Sequence, residues 1–328
     1  MTPDEQPGGR ARRWRRRLAA AVIAFVVLPL GWLAGLAVPR HGHFSTRAGN
    51  LHDVVAGEWM PQAGSFSSQA VRLTTDTGLS VDLRVMRPEG APGPLPLVLL
   101  LGGHRTGRDA VDAVGEPGPM VVAALDYPYH GPERLRGVWQ SVSSVPAMQR
   151  GLLDTPPAVS VALDWLLAQS WVDPSRVELM GLSLGVPFAT VAGALDPRLR
   201  RVWLVHGQAG NRAWLANRLE GQIENRPLRE FAAGIILLLA HGASFRTEDW
   251  IGRIAPRSVI VVGATEDEQM TRGAVEQLYA AAGEPRELLW STGGHVGPRR
   301  RDIVQQLLEM VRSRLEPVAG MEPEPTGP

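Results

Sequence analysis

Apolar and polar positions change period several times along this chain, and each change marks an element. Residues 71–75 and 79–86 alternate apolar and polar side chains across Thr75-Asp76-Thr77-Gly78, which predicts a hairpin with one buried face. Residues 96–101 and 120–125 are continuous apolar runs, the pattern of strands buried on both faces. A helical period covers 156–169. Beyond Trp171-Val172-Asp173-Pro174, the apolar stretch Val177-Glu178-Leu179-Met180 runs into Gly181-Leu182-Ser183-Leu184-Gly185 and a helical pattern over 184–195. Further strands are predicted over 201–205, 257–262 and 287–290, with helices over 271–282 and 300–315. Strands alternating with helices predict an α/β domain over residues 70–316, its central sheet mostly parallel and covered by helices on both faces. No internal repeat is visible.

The alternation is interrupted over residues 207–254. Trp214, Leu215 and Leu219 suggest one helix, and 231–240 another with an Ile-Ile-Leu-Leu-Leu core. An insertion here is expected to lie as a helical cap over the strand ends that carry Ser183, shaping a pocket and excluding water. The second helix reads equally well as a packing element, and the two roles are compatible. Residues 317–328 are rich in Pro and Glu and read as a disordered tail.

At the other end, residues 1–17 hold Arg10, Arg12, Arg13, Arg15, Arg16 and Arg17, followed by an uncharged run over 18–38. As one helix that run would be about 31 Å long, the thickness of a bilayer's hydrocarbon core. It is longer than the apolar region of an ordinary signal peptide. The favoured reading is an uncleaved transmembrane anchor over 18–39. The arginines would be cytoplasmic and the rest of the chain on the far side. A cleaved secretory signal, with small residues at Leu36-Ala37-Val38, ranks second, and the chain would then be secreted; a buried soluble helix ranks third. Residues 40–69 show little periodicity and read as a linker that then docks on the domain. His41, His43 and His52 lie within it at no convincing metal-ligand spacing, and no metal is expected.

Composition adds little. The 328 residues are 44% hydrophobic with a net charge of +1, which favours a globular core and gives no reason to expect a nucleic-acid partner. Arginine carries all the basic charge, for the chain has no Lys. It also has no Cys, which excludes disulfides, thiolate metal sites and a cysteine nucleophile.

Candidate chemistry centres on Ser183. A serine on a tight strand-to-helix turn is exposed above the sheet edge, and Gly181 and Gly185 let helix and strand approach. A hydroxyl needs a base to take its proton, and the base needs a third group to fix its tautomer. His295, on the loop Thr292-Gly293-Gly294-His295 past the last strand, is the candidate base. The acid is expected after the preceding strand, where Asp267 is preferred and Glu266 is the alternative. An oxyanion needs N–H donors. The backbone of Leu184 is one, and the loop after 96–101 supplies the other, His104 first and Gly103 next. His206 is expected as a satisfied core or pocket-wall residue, and Arg299, Arg300 and Arg301 as solvated charges.

With the order Ser183, Asp267, His295 on an alternating α/β pattern, the chain resembles serine hydrolases of the α/β-hydrolase superfamily, nearest the dienelactone-hydrolase and acetyl-xylan-esterase-like branch. Gly181-Leu182-Ser183-Leu184-Gly185 is similar to its nucleophile elbow, Asp126-Tyr127-Pro128-Tyr129-His130-Gly131 to its strand-end turn, and the segments at Asp267 and His295 to its acid and base segments. The resemblance spans roughly residues 71–315. It implies the α/β-hydrolase fold, a small-molecule ester substrate, an acyl-enzyme and no cofactor. A peptidase or acyltransferase with the same triad, or a silent membrane-tethered binding domain, are the alternatives. Val186 departs from the pattern where a second glycine often follows the elbow, and Gly102-Gly103-His104 replaces the usual His-Gly. Dienelactone hydrolases use Cys, so that activity is not expected here.

Overall fold

The computed structural model describes residues 14–315, apart from 18, 19, 21, 63, 104, 105, 133 and 135. Its frame is a ten-stranded sheet. The strands are β1 (Leu51–Ala56), β2 (Met60–Gln62), β3 (Phe66–Thr75), β4 (Ser80–Pro88), β5 (Leu95–Leu101), β6 (Val121–Leu125), β7 (Val172–Leu182), β8 (Arg201–Val205), β9 (Ser258–Ala264) and β10 (Arg286–Ser291). They lie in the order β1-β3-β4-β6-β5-β7-β8-β9-β10, with β2 pairing off that path to β3. From β6 to β10 every pairing is parallel, while β4 meets β6, and β3 meets β4, antiparallel.

The sequence of β5 shows why the sheet is buried on both faces. All seven residues of Leu95–Leu101 are buried. Leu97, Leu99 and Leu101 join the core on one face, with Val159, Leu163 and Val191. Val98 and Leu100 join the core on the other, with Met180, Val111 and Leu307. A period of two therefore feeds two separate cores, each fully buried branched side chain contributing about 1.5–3 kcal/mol relative to exposure. Strand β4 alternates because one of its faces is only half covered.

Two segments differ from the expectation. Residues 40–69 dock on the domain as expected but are more regular than a linker: β1 and β2 extend the sheet, and residues 41–47 form the helix His41–Arg47. Phe44 is buried against Phe245 and Trp250, the Arg40 N–H donates to Ser244 Oγ (2.8 Å), and His43 and Arg47 both bond the buried Asp154. The helix expected from 156 runs instead from Gly137 to Leu167, with Pro146, Pro156 and Pro157 inside it.

Within the run 18–38, Ile23–Val27 is a wide helical turn that continues into the helix Leu28–Ala37. Among the described residues no helix is long and apolar enough to cross a membrane. Val22, Phe25, Leu28, Leu30 and Trp32 are exposed, whereas Leu36 is buried where this segment packs against the cap. The cap itself is present, with helices Asn211–Arg218 and Arg226–Leu239 followed by three short turns up to Ile254.

Candidate functional site

Strand β7 ends at Leu182, and Ser183 adopts φ +53°, the left-handed conformation that a side chain tolerates only under constraint. The helix Gly185–Leu195 begins at once. Both flanking glycines are required by close approach. A Cβ at Gly185 would lie 2.2 Å from the Leu101 carbonyl oxygen, and one at Gly181 would lie 2.5 Å from Ala189 Cβ. Val186, which departs from the glycine often found there, is buried opposite Gly207, whose own Cβ position would overlap the Val186 side chain.

Three side chains distant in sequence meet above this turn. Ser183 Oγ lies 2.7 Å from His295 Nε2. Asp267 lies 2.9 Å and 3.1 Å from His295 Nδ1 through its two carboxylate oxygens. His295 and Asp267 are nearly sealed, their side chains 4% and 3% exposed. Burial alone would raise the Asp267 carboxyl. The hydrogen bond and charge of His295, with the N–H groups of Gln269 and Met270 donating to Oδ1, outweigh burial and hold the group below the usual carboxylate range. With Asp267 ionised, Nδ1 carries the imidazole proton and Nε2 is left as an acceptor for the serine hydroxyl. The alternative acid, Glu266, is exposed, and its backbone N–H donates to Gly293 O.

Leu184 caps the helix that follows Ser183, so its N–H has no intrahelical acceptor. Gly103 faces Ser183 from the loop after β5, its Cβ position 3.7 Å from Ser183 Cβ. His104, the first choice for the second donor, lies outside the described residues. The loop is tied down by Tyr127, whose hydroxyl donates to Gly102 O at 2.6 Å, and burial raises that phenol far above its ordinary pKa. Asp126 Oδ1 accepts the Arg108 N–H at 2.8 Å. The Asp126–Gly131 turn thus supports the loop through two side chains that its sequence did not single out for this role.

Sequence reasoning also missed the groups around the base. Glu268 accepts the His295 backbone N–H (3.0 Å) and pairs with Arg300 (2.9 Å), which is therefore engaged rather than simply solvated. His206 is, as expected, a satisfied core residue, completely buried at φ +50°; its partners are what the sequence did not reveal. Its Nδ1 accepts the Val296 N–H at 2.7 Å, so its proton sits on Nε2, which donates to Ser291 Oγ at 2.9 Å. Burial and the neighbouring His295 push its pKa down to about 4. His206, Asp267 and His295 have ligand-type atoms within 4.8 Å of one another. Both nitrogens of each histidine are already committed, so hydrogen bonding accounts for the cluster.

No family model matches the chain, and no curated protein matches it. Solved structures do. The acetyl xylan esterase from Paenibacillus sp. R4 superposes with a TM-score of 0.58 at 18% identity, covering 82% of this chain and 92% of that one. Acetyl xylan esterase 1 from Thermoanaerobacterium sp. JW/SL YS485 gives 0.53 at 16%, covering 83% and 94%. The glucuronoyl esterase from Solibacter usitatus gives 0.52 at 14%, covering 83% and 91%. At this identity the likeness speaks for architecture, and with the parallel sheet, the strand-to-helix turn at Ser183 and the cap after β8 it leads to one conclusion: the chain has the α/β-hydrolase fold.

Proposed function

We propose that this protein is a carboxylic-ester hydrolase that works through an acyl-enzyme. The observation that carries the reading is the continuous hydrogen-bonded line from Ser183 Oγ through the His295 ring to Asp267. Ser183 Oγ attacks the ester carbonyl carbon while His295 Nε2 takes its proton, and Asp267 stabilises the imidazolium. The backbone N–H of Leu184, with Gly103 or His104 across the gap, would receive the oxyanion. The C–O bond to the alcohol then breaks, and His295 returns the proton to the departing oxygen. Water, deprotonated by the same imidazole, releases the acid and restores Ser183. That acetyl xylan and glucuronoyl esterases share this architecture supports ester hydrolysis as the reaction.

The test is labelling with a serine-reactive fluorophosphonate. Label and ester turnover should both disappear in Ser183→Ala. A folded wild-type protein that neither labels nor turns over simple esters would instead be a binding domain. Preferential product formation from an added alcohol over water would make it an acyltransferase.

A second part of the reading is location. A tether holding the domain against the far side of a membrane is supported by the arginine cluster before residue 18 and by the exposed apolar side chains of Phe25 (83%), Leu28 (62%) and Trp32 (56%). Full-length protein should resist alkaline carbonate extraction and need detergent for release. Recovery in the soluble fraction, with an intact N-terminus by mass spectrometry, would refute the tether.

A further inference from the structure

Ser183 opens onto two separate chambers. The first, about 300 Å³, runs beneath the sheet from the hydroxyl and His295. Leu100 and Met180 line it on the strand side, Ala110 and Val114 from the short helix after β5, and Leu307 and Val311 from the last helix. The second, about 190 Å³, lies under the cap among Phe188, Trp214, Leu237, Ala240 and Phe245. An ester has two arms diverging from its carbonyl carbon, and that carbon must sit at Ser183 Oγ. Two chambers that share Ser183 in their linings match that geometry.

Most polar side chains on these walls already have protein partners. Thr106 Oγ1 donates to Gly103 O at 2.9 Å, Asn211 Nδ2 donates to Phe245 O at 2.9 Å, and Gln208 Oε1 accepts the Thr271 N–H at 3.2 Å. Trp214 Nε1, buried without a partner, and Gln269 and Arg218 on the first wall are the exceptions. The rest of both walls is aliphatic or aromatic, and a sugar's buried hydroxyls would each need a hydrogen bond that such a wall does not supply. An alkyl chain needs none.

We infer that the substrate is a lipid-like ester with an alkyl chain on each side of the carboxyl group, one chain in each chamber. The inference rests on the esterase reading above and narrows its substrate. Each methylene added within a chamber should raise kcat/KM about fourfold, from the transfer free energy of one CH₂. Extending either arm from two to six carbons should therefore give a gain on the order of a hundredfold before the chamber is full.

The experiment is a matrix of unactivated esters, acetate to octanoate on the acyl side and methyl to octyl on the alcohol side, followed in a pH-stat on full-length protein. kcat/KM should rise along both axes. Ala113→Phe, at the first chamber, should abolish the rise along one axis, and Ala240→Phe, at the second, along the other. Both variants should still take the small fluorophosphonate label. If a plugged variant does not fold, Val304→Ala and Leu237→Ala enlarge the same two chambers and should each move the optimum to longer chains on one axis. Fastest turnover of methyl acetate by a wild-type enzyme that labels at Ser183 overturns the inference while leaving the esterase reading intact. So do two plugs that act on the same axis, or on neither. If no ester in the matrix turns over and Ser183 does not label, the esterase reading itself has failed.

Discussion

Acidification probes the link between His206 and the loop that carries His295. The His206 ring is wholly buried, its Nδ1 is occupied by the Val296 N–H, and its pKa is pushed down to about 4, first by burial and then by the charge of His295, with Arg300 adding to this and Asp267 and Glu268 opposing it. Unfolded, the same side chain titrates near 6.5. A histidine with a depressed folded pKa binds fewer protons in the native state, so stability falls as the pH drops from about 6.5 and levels off below about 4. Between pH 7 and pH 4.5 this one group should remove roughly 2 kcal/mol of folding stability. The comparison is His206→Asn. Asn accepts the left-handed backbone, offers an oxygen for the Val296 N–H and does not titrate. Urea unfolding followed by tryptophan fluorescence at half-unit pH steps gives both curves. Titrations remote from His206 are common to the pair, so the wild-type curve should fall more steeply below pH 6.5. Parallel curves would refute the reasoning. The link also reaches chemistry, for the Val296 N–H that His206 holds follows His295 directly. His206→Leu, which removes that acceptor, should lower kcat more than it raises KM, whereas His206→Asn should retain most of kcat.

Three further outcomes follow from the site. Asp267→Asn should lower kcat by about 10⁴ at every pH at which the protein is folded, since it removes the carboxylate that sets the His295 tautomer, while Glu266→Gln should stay within about twofold; steady-state ester hydrolysis separates them. Gly185→Ala puts a Cβ 2.2 Å from the Leu101 carbonyl oxygen, so the helix must move away from β5; we expect a loss of about 1–3 kcal/mol in thermal or urea unfolding and about a hundredfold slower fluorophosphonate labelling. Unchanged labelling would mean that the turn can yield without moving Ser183. Tyr127→Phe deletes the hydroxyl that holds Gly102 O and should cost about tenfold in kcat with little change in KM, a split that a defect of folding alone would not produce.

How much of this was legible beforehand depends on where each residue draws its burial. Strands β5 to β9 could be read because a strand covered on both faces must be apolar throughout, and the loops that follow parallel strands share one sheet edge. That rule brought Ser183, Asp267 and His295 within reach of one another before any distance was known. It fails at the margins. Strand β1 exposes five of its six residues, Val54 and Val55 among them, so an edge strand without a buried face shows no alternation to detect. The helix Gly137–Leu167 carries Pro146 in its first half, a residue that normally breaks a helix, and local preference does not reveal that half. His206 and Ser291 were invisible as a pair: they stand at the ends of β8 and β10, with β9 between them, and only the parallel register of all three strands sets them side by side.

The two chambers mark a deeper boundary of the same kind. Small residues at 110 and 113 and branched ones at 307 and 311 carry no meaning singly. The space between them lies where the five-residue helix after β5 and the last helix flank Met180 and Leu100. A helix one turn longer, or larger side chains at those two alanines, would fill the cavity with core and leave the Ser183–His295–Asp267 line unchanged. Ala110 and Ala113 border the room beside Ser183 without touching that line. Changing 113 alone should therefore move chain-length preference without touching the rate at which a small phosphonate reaches Ser183.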